Sequence, residues 1–167
     1  MTKVGLISDT HGFVDPAVYK HFANCDELWH AGDIGTVSVV EELQNFKPLR
    51  IITGNIDGQE LRSFVPSNLV FEVEGVKVAM THIGGYPGKY NSAALAFIRQ
   101  HKPQLFICGH SHILKVMYDH DNQLLHLNPG AAGNHGWHQV KTLLRFSISM
   151  GKIADLEIIE LKRKELT

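Results

Sequence analysis

Short apolar runs alternate with polar breaks along the chain, and the period of each run predicts the element it forms. Lys3 to Ile7 is a brief apolar stretch, read as a buried strand, and it stops at Ser8-Asp9-Thr10-His11-Gly12. Pro16 to Phe22 is read as a helix, with Asp15 placed to cap its start and Pro16 at its first position. Glu27-Leu28-Trp29-His30 is a second strand that runs into Ala31-Gly32-Asp33. Ser38 to Phe46 has helical spacing at Val39, Val40 and Leu43. Leu49 to Thr53 is a third strand, ended by Gly54-Asn55-Ile56-Asp57-Gly58.

The pattern then changes. Leu69 to Val73 and Val76 to Thr81 flank Glu74-Gly75, a hairpin signature, and His82 follows the second strand. Ser92 to His101 predicts a helix that stops ahead of Pro103. Gln104 to Cys108 is a strand entering Gly109-His110-Ser111-His112. Leu114 to Tyr118, Gln123 to Leu127 and Thr142 to Ser149 read as strands, and Gly151-Lys152 turns into a last one, Ile153 to Leu161. Lys162-Arg163-Lys164 reads as a solvated tail. Strand and helix alternate in the first half, and strands dominate the last third. The expectation is an α/β protein with mixed sheets rather than a purely parallel wrap.

Composition adds limits. A chain of 167 residues suits one domain, 1–167. The net charge of −1 provides no global basic field, which counts against nucleic acid as a partner. No apolar run approaches the roughly 20 residues that span a membrane. The first residues lack the signal-peptide pattern, so the cytoplasm is the expected location. Cys25 and Cys108 form no C-x-x-C pair, and Cys108, ending an apolar run, is expected to be a buried inert thiol. The 11 histidines change the picture most, because many sit beside Asp, Gly or Asn, as metal ligands do.

Five strands end in a polar cluster: Asp9 with His11, Asp33, Asn55, His82, and His110 with His112. Sites in α/β folds lie beyond the carboxyl ends of strands, so neighbouring strands would gather these clusters. Within Asp9-x-His11 and His110-x-His112, extended backbone would aim both side chains to one side. The donors are imidazole, carboxylate and amide oxygen, with no thiolate. That set disfavours a structural zinc finger and suits Mn, Fe, Ni, Zn or Mg. Seven ligands exceed one tetrahedral site and suit two metals that share a carboxylate. Asp9 and Asp33 neutralise only half the charge of two divalent ions, so the site invites an anionic substrate. Two ions about 3.5–4 Å apart generate hydroxide near neutral pH and clamp a phosphoryl group for in-line attack.

These motifs, Asp9-Thr10-His11, Gly32-Asp33, Gly54-Asn55-Ile56-Asp57, His82 and Gly109-His110-Ser111-His112, resemble the calcineurin-like metallophosphoesterase superfamily in kind and in order. Asn128-Pro129-Gly130 and the short length resemble its small bacterial and archaeal phosphodiesterase branch (YfcE-like). The resemblance implies a four-layer αββα sandwich of two mixed β-sheets flanked by helices. It implies one metal on Asp9, His11 and His112, a second on Asn55, His82 and His110, and Asp33 bridging. Asp33, Asn55, Asp57 and His82 carry over as the catalytic set, with Asp57 behind the ligands, orienting a ligand histidine. Mn²⁺ is the foremost expected metal, with Ni²⁺, Fe²⁺, Zn²⁺ and Mg²⁺ as alternatives.

Two positions depart from the family pattern. Many relatives carry a histidine after the asparagine that protonates the leaving group, and this chain has Ile56. Loss of a general acid typically costs about 10²–10⁴-fold, least for leaving groups that are already good. His82-Ile83-Gly84-Gly85 stands where relatives often read His-Gly-His.

Other conspicuous residues have plainer readings. His30 reads as a hydrogen-bonded structural histidine, with a catalytic role as the alternative. His135 and His138 are loop-surface histidines or contacts to a bound phosphate. Lys89, in the loop with Tyr86 and Tyr90, is an anion contact or a solvated lysine. His21, His101, His120 and His126 read as surface or strand positions, and Trp29 and Trp137 as packing residues. The expected function is hydrolysis of a small phosphate ester, a diester foremost, by hydroxide bridging two divalent metals. The alternative is a non-catalytic interaction scaffold of the same fold, like the retromer scaffold subunit, in which metal ligands are partly lost. The apolar hairpin from Leu69 to Met80 offers a surface for a homodimer or homotetramer.

Overall fold

The first strand shows why the sequence forms layers. In β1 (Thr2–Ile7), Val4 and Leu6 enter one hydrophobic cluster while Ile7 enters another on the opposite face. A strand apolar on both faces must be covered on both. In β2 (Glu27–His30), Trp29 likewise faces the first cluster and Leu28 the second. These two strands pair in parallel, and β3 (Leu49–Ile51) extends the sheet beyond β2. On the other side β1 pairs antiparallel with β9 (Val140–Ser149), which pairs with β10 (Lys152–Lys162). The result is a mixed five-stranded sheet ordered β10-β9-β1-β2-β3. The computed structural model describes residues 1–163.

A second mixed sheet is ordered β4-β5-β6-β8-β7. Its strands are β4 (Asn68–Val73), β5 (Val76–Thr81), β6 (Leu105–Ile107), β7 (Leu114–Asp119) and β8 (Leu124–Pro129). Strands β5, β6 and β8 run parallel, and β4 and β7 close the edges antiparallel. Val78, Met80, Leu105, Ile107 and Leu127 join Val4, Leu6, Trp29, Leu144 and Phe146 in the central core, so the sheets pack face to face.

Helices cover the outer faces. α1 (Pro16–His21) and α2 (Val37–Phe46) bury Val18, Val39, Val40 and Leu43 against Ile7 and Leu28. A four-residue α3 (Gln59–Arg62) adds Leu61. α4 (Ser92–His101) packs Ala94 and Ile98 on Ala79 and Phe106 of the second sheet. The order is therefore helix, sheet, sheet, helix, as the resemblance implied. Asp15 caps α1 as expected, its Oδ1 accepting from the Ala17 N–H at 2.9 Å, with Pro16 in the first turn. Asn91 caps α4 through the Ala94 N–H.

Several expectations change. α3 was not foreseen. Trp29 is a packing residue, but Trp137 is 98% exposed, so only one of the two tryptophans packs. Lys162 ends β10, and the Arg163 guanidinium donates to the carbonyls of Asn134, Gly136 and His138, so this stretch ties down a loop instead of floating as a tail. Lys164 lies outside the described residues. In the apolar hairpin, Leu69, Val70 and Phe71 pack half-buried against the cores, and the β5 apolar residues are fully used there. Cys25 and Cys108 are buried free thiols, and burial pushes Cys108 up to about 12.

Candidate metal centre

The parallel strands of both sheets point their carboxyl ends at one place. β1 delivers Asp9 and His11, β2 Asp33, β3 Asn55, β5 His82, and β6 His110 and His112. The loops that carry them are locked to their neighbours within each sheet. Asp9 N–H donates to the Gly32 carbonyl and His11 N–H to that of Asp33, at 3.0 Å each, and Gly109 N–H donates to the His82 carbonyl at 2.9 Å.

The backbone at the site differs from the extended geometry expected of the two D-x-H and H-x-H pairs. Asp9, His11, Asp33, His110 and His112 all have positive φ, between 47° and 71°. They are half of the ten such non-glycine residues among the described residues. Left-handed backbone is uncommon for any non-glycine residue, though less so for Asp and His, and five such residues around one site are held there by their surroundings. Each of these five side chains is thus aimed by a sharp local turn rather than by strand alternation. Glycines make room for this. A Cβ on Gly54 would overlap the Asp33 carboxylate, and one on Gly32, itself at φ +99°, would overlap the His82 ring.

The side chains form two groups whose donor atoms lie within 4.8 Å of one another: Asp9, His11 and His112, and Asp33, His82 and His110. Asp33 joins the groups. Its Oδ2 is 3.5 Å from His11 Nε2, and its Oδ1 is 3.3 Å from His82 Nε2. Asp9 Oδ1 is 3.2 Å from His112 Nε2, 3.8 Å from His82 Nε2 and 4.0 Å from His11 Nε2. Asn55 Oδ1 lies 2.9 Å from His110 Nδ1. All seven expected residues are brought together.

The donor atoms fit a cation better than they fit each other. Asp9 Oδ1, His11 Nε2 and His82 Nε2 are buried with no hydrogen-bond partner, a costly condition that calls for an occupant. Ligands about 2.0–2.2 Å from an ion stand roughly 3–3.5 Å apart, close to the spacings above. Remaining atoms of these side chains are held from behind. Asp9 Oδ2 accepts from Ser8 Oγ at 2.7 Å and from the His110 N–H at 3.1 Å. His82 Nδ1 donates to the Ala31 carbonyl at 2.7 Å, which leaves Nε2 free to ligate when the ring is neutral.

The charges shape titration. Burial would raise the Asp33 carboxyl, but the His82 ring and the Ile56 N–H more than offset it and hold it below the usual carboxylate range. Burial would lower His82, but Asp33 and Asp9 more than offset it, and the ring is raised. His11 is lowered, because burial there outweighs the pull of Asp33 and Asp9.

Asp57 departs from its expected part. Its carboxylate accepts three backbone N–H groups, from Ile34 at 3.1 Å, Gly35 at 3.0 Å and Gly54 at 2.8 Å. It holds the Asp33 loop to the Asn55 loop and makes no hydrogen bond to His11, His82, His110 or His112; His82 is oriented by Ala31 instead. Arg62 of α3 completes this brace, donating to the Asp57 and Gly54 carbonyls. His30 is structural, fully buried between Thr10 Oγ1 at 2.9 Å and the Gly32 N–H at 3.1 Å. Asn128 donates to the Gly109 carbonyl and Ser111 Oγ, supporting the loop of His110 and His112.

The cleft over the site is lined by five of the seven donor residues, all but the buried Asp9 and His82, together with Ile56, Ile113, His135, Trp137 and His138. His135 stacks on His11 with ring centroids 4.6 Å apart. His138 meets His112 edge-on and donates from Nε2 to the Gly133 carbonyl. Ile56 is 47% exposed in this cleft and offers no proton. The stack of His135 and the exposed Trp137 had no sequence signal beyond a Gly- and His-rich loop.

The family model of the calcineurin-like phosphoesterase superfamily domain matches residues 2–151. A probable metallophosphoesterase of Mycoplasma pneumoniae is 29% identical over 166 residues, covering 93% of this chain and 96% of that one. A probable metallophosphoesterase of Methanothermobacter thermautotrophicus is 28% identical over 134 residues, 77% of this chain and 76% of its own length. Among solved structures, zinc-bound Vps29 of Entamoeba histolytica aligns with a TM-score of 0.75 at 16% identity, covering 97% of this chain and 99% of that one. A Streptococcus pneumoniae protein described as a predicted phosphoesterase aligns at 0.70 with 21% identity over 97% and 90% of the two chains. At those identities the structures share the fold. The match across most of the length, on top of the converging donors, makes this chain a member of the calcineurin-like phosphoesterase superfamily.

Proposed function

We propose that the protein is a dinuclear metal-dependent phosphoesterase that prefers phosphodiesters. The observation that carries this reading is the pair of donor groups joined by Asp33, with three buried donor atoms left without partners. Asp9, His11 and His112 would hold one divalent ion, Asn55, His82 and His110 the other, with Asp33 shared. Such ions supply Lewis acidity, activating water as the nucleophile and drawing charge from the phosphoryl group.

The chain's own residues do the rest. Asp33 and Asp9 supply the only carboxylates of the ligand set, so the loaded site stays positive and attracts a phosphate ester. Asp57 and the Ala31 carbonyl keep Asp33 and His82 aimed, so little reorganisation is needed when substrate arrives. Ile56 presents an apolar wall where a proton donor would assist a poor leaving group. That favours esters whose alcohol leaves readily.

The scaffold alternative shares the fold of the Vps29 structures. Against it stand seven intact donors and the strained backbone kept at five of them, which an inert surface would not need. The test is turnover of bis(4-nitrophenyl) phosphate by purified protein with Mn²⁺. Metal-dependent hydrolysis that falls at least 10²-fold in Asp33→Ala is expected. No metal-dependent turnover, or Asp33→Ala equal to the parent, contradicts the reading.

A further inference from the structure

A second cavity, about 520 Å³, opens beside the metal cleft and shares His110, Ser111 and Ile113 with it. Its size suits a small-molecule group. One wall is the loop after β5, with Ile83, Tyr86 and Lys89, and the other comes from β7 with Lys115. Ile83, Tyr86 and Ile113 keep exposed apolar faces, so the body of the cavity accepts an apolar or flat group.

The two lysines give this cavity its sign. Among the described residues, the Lys and Arg ion pairs involve Arg50, Lys141 and Arg145, and neither Lys89 nor Lys115 has a carboxylate within reach. Lys115 Nζ rests 4.5 Å from the centre of the Tyr86 ring, a cation–π contact that steers the ammonium toward the cavity without neutralising it. Two uncompensated ammonium groups on one concavity favour an anion there. The shared wall also fixes what can reach it. A phosphoryl group between the donor groups has His110 on one side, so an ester substituent directed past His110 and Ser111 enters this cavity.

We propose that the second cavity receives the leaving alcohol, and that it selects phosphate esters whose alcohol carries a second anionic group, a carboxylate or a further phosphate, held by Lys89 and Lys115. This rests on the phosphoesterase reading for the placement of the first phosphate. It also explains why an enzyme with Ile56 is not left without selectivity: recognition lies on the departing group rather than on proton donation to it.

The test uses three rigid probes that cannot be hydrolysed: phenylphosphonate, 4-carboxyphenylphosphonate and benzene-1,4-diphosphonate. Each is titrated calorimetrically into Mn²⁺-loaded protein and into the Lys89→Ala/Lys115→Ala variant. The parent is expected to bind at least one doubly anionic probe about tenfold or more tighter than phenylphosphonate, and the better of the two identifies carboxylate or phosphate. In the double variant that advantage falls below about threefold. Equal affinity for all three probes in the parent, or an undiminished advantage in the variant, overturns the proposal. Because binding is read directly, absent turnover of an aryl diester counts against the catalytic reading alone.

Discussion

At the scale of single residues, the site is braced by side chains outside the donor set. Asp57 satisfies three backbone N–H groups of two loops at once. Replacing it by Ala strands buried donors, so Asp57→Ala should lose about 2–4 kcal/mol in urea unfolding and weaken Mn²⁺ binding as the loops of Asp33 and Asn55 loosen. Unchanged stability would contradict the bracing role. His30 and His126 show the same logic in their titration. Burial holds both rings down to about 4, against an ordinary 6.5. Between pH 6.5 and 4 the unfolded chain binds protons that the folded rings refuse, so stability falls as pH drops through that window, by up to about 3 kcal/mol for each ring. Histidine NMR titration should find both rings neutral at pH 5. The motif residues themselves were legible because each follows a strand and each is a metal-binding type. The left-handed backbone beneath five of them was not, since Asp and His tolerate positive φ better than most residues but adopt it only where tertiary packing holds them.

Elements are tied together by a few buried polar contacts as well as by their apolar faces. Lys141 of β9 is 1% exposed, and its Nζ lies 2.5 Å from Oδ2 of Asp15, the residue that caps α1. Asp15→Ser retains a capping hydroxyl but strands a buried ammonium, and should lose about 3 kcal/mol or more in thermal or urea unfolding. Adding Lys141→Met should recover most of that loss, since replacing both charges removes the desolvation cost; a double variant as unstable as the single one would contradict the account. Elements with strong periodic signals emerge as expected: β5 and α4 have the ends their sequence predicts. The misses have physical causes. α3 has one apolar residue, Leu61, in four, too short for any period to register. β10 alternates exposed and half-buried positions as an edge strand, so its ends carry little hydrophobic contrast. The second cavity arises from a Gly/Pro-containing loop facing β7, two segments brought together only by the sheet order.

At the scale of the molecule, two mixed sheets packed face to face bring the ends of five parallel strands to one point, and the fold as a whole is the device that assembles the site. Metal binding should therefore report on the fold. Mn²⁺ at a hundred times its dissociation constant stabilises by about 2.7 kcal/mol per site, so melting temperature should rise with Mn²⁺ and return with a chelator. The centre itself is tested most directly by anomalous diffraction from Mn²⁺-loaded crystals. Two peaks about 3.5–4 Å apart are expected, one among Asp9, His11 and His112, the other among Asn55, His82 and His110, with Asp33 between them. A single peak, or metal anywhere but between these groups, would contradict the dinuclear centre.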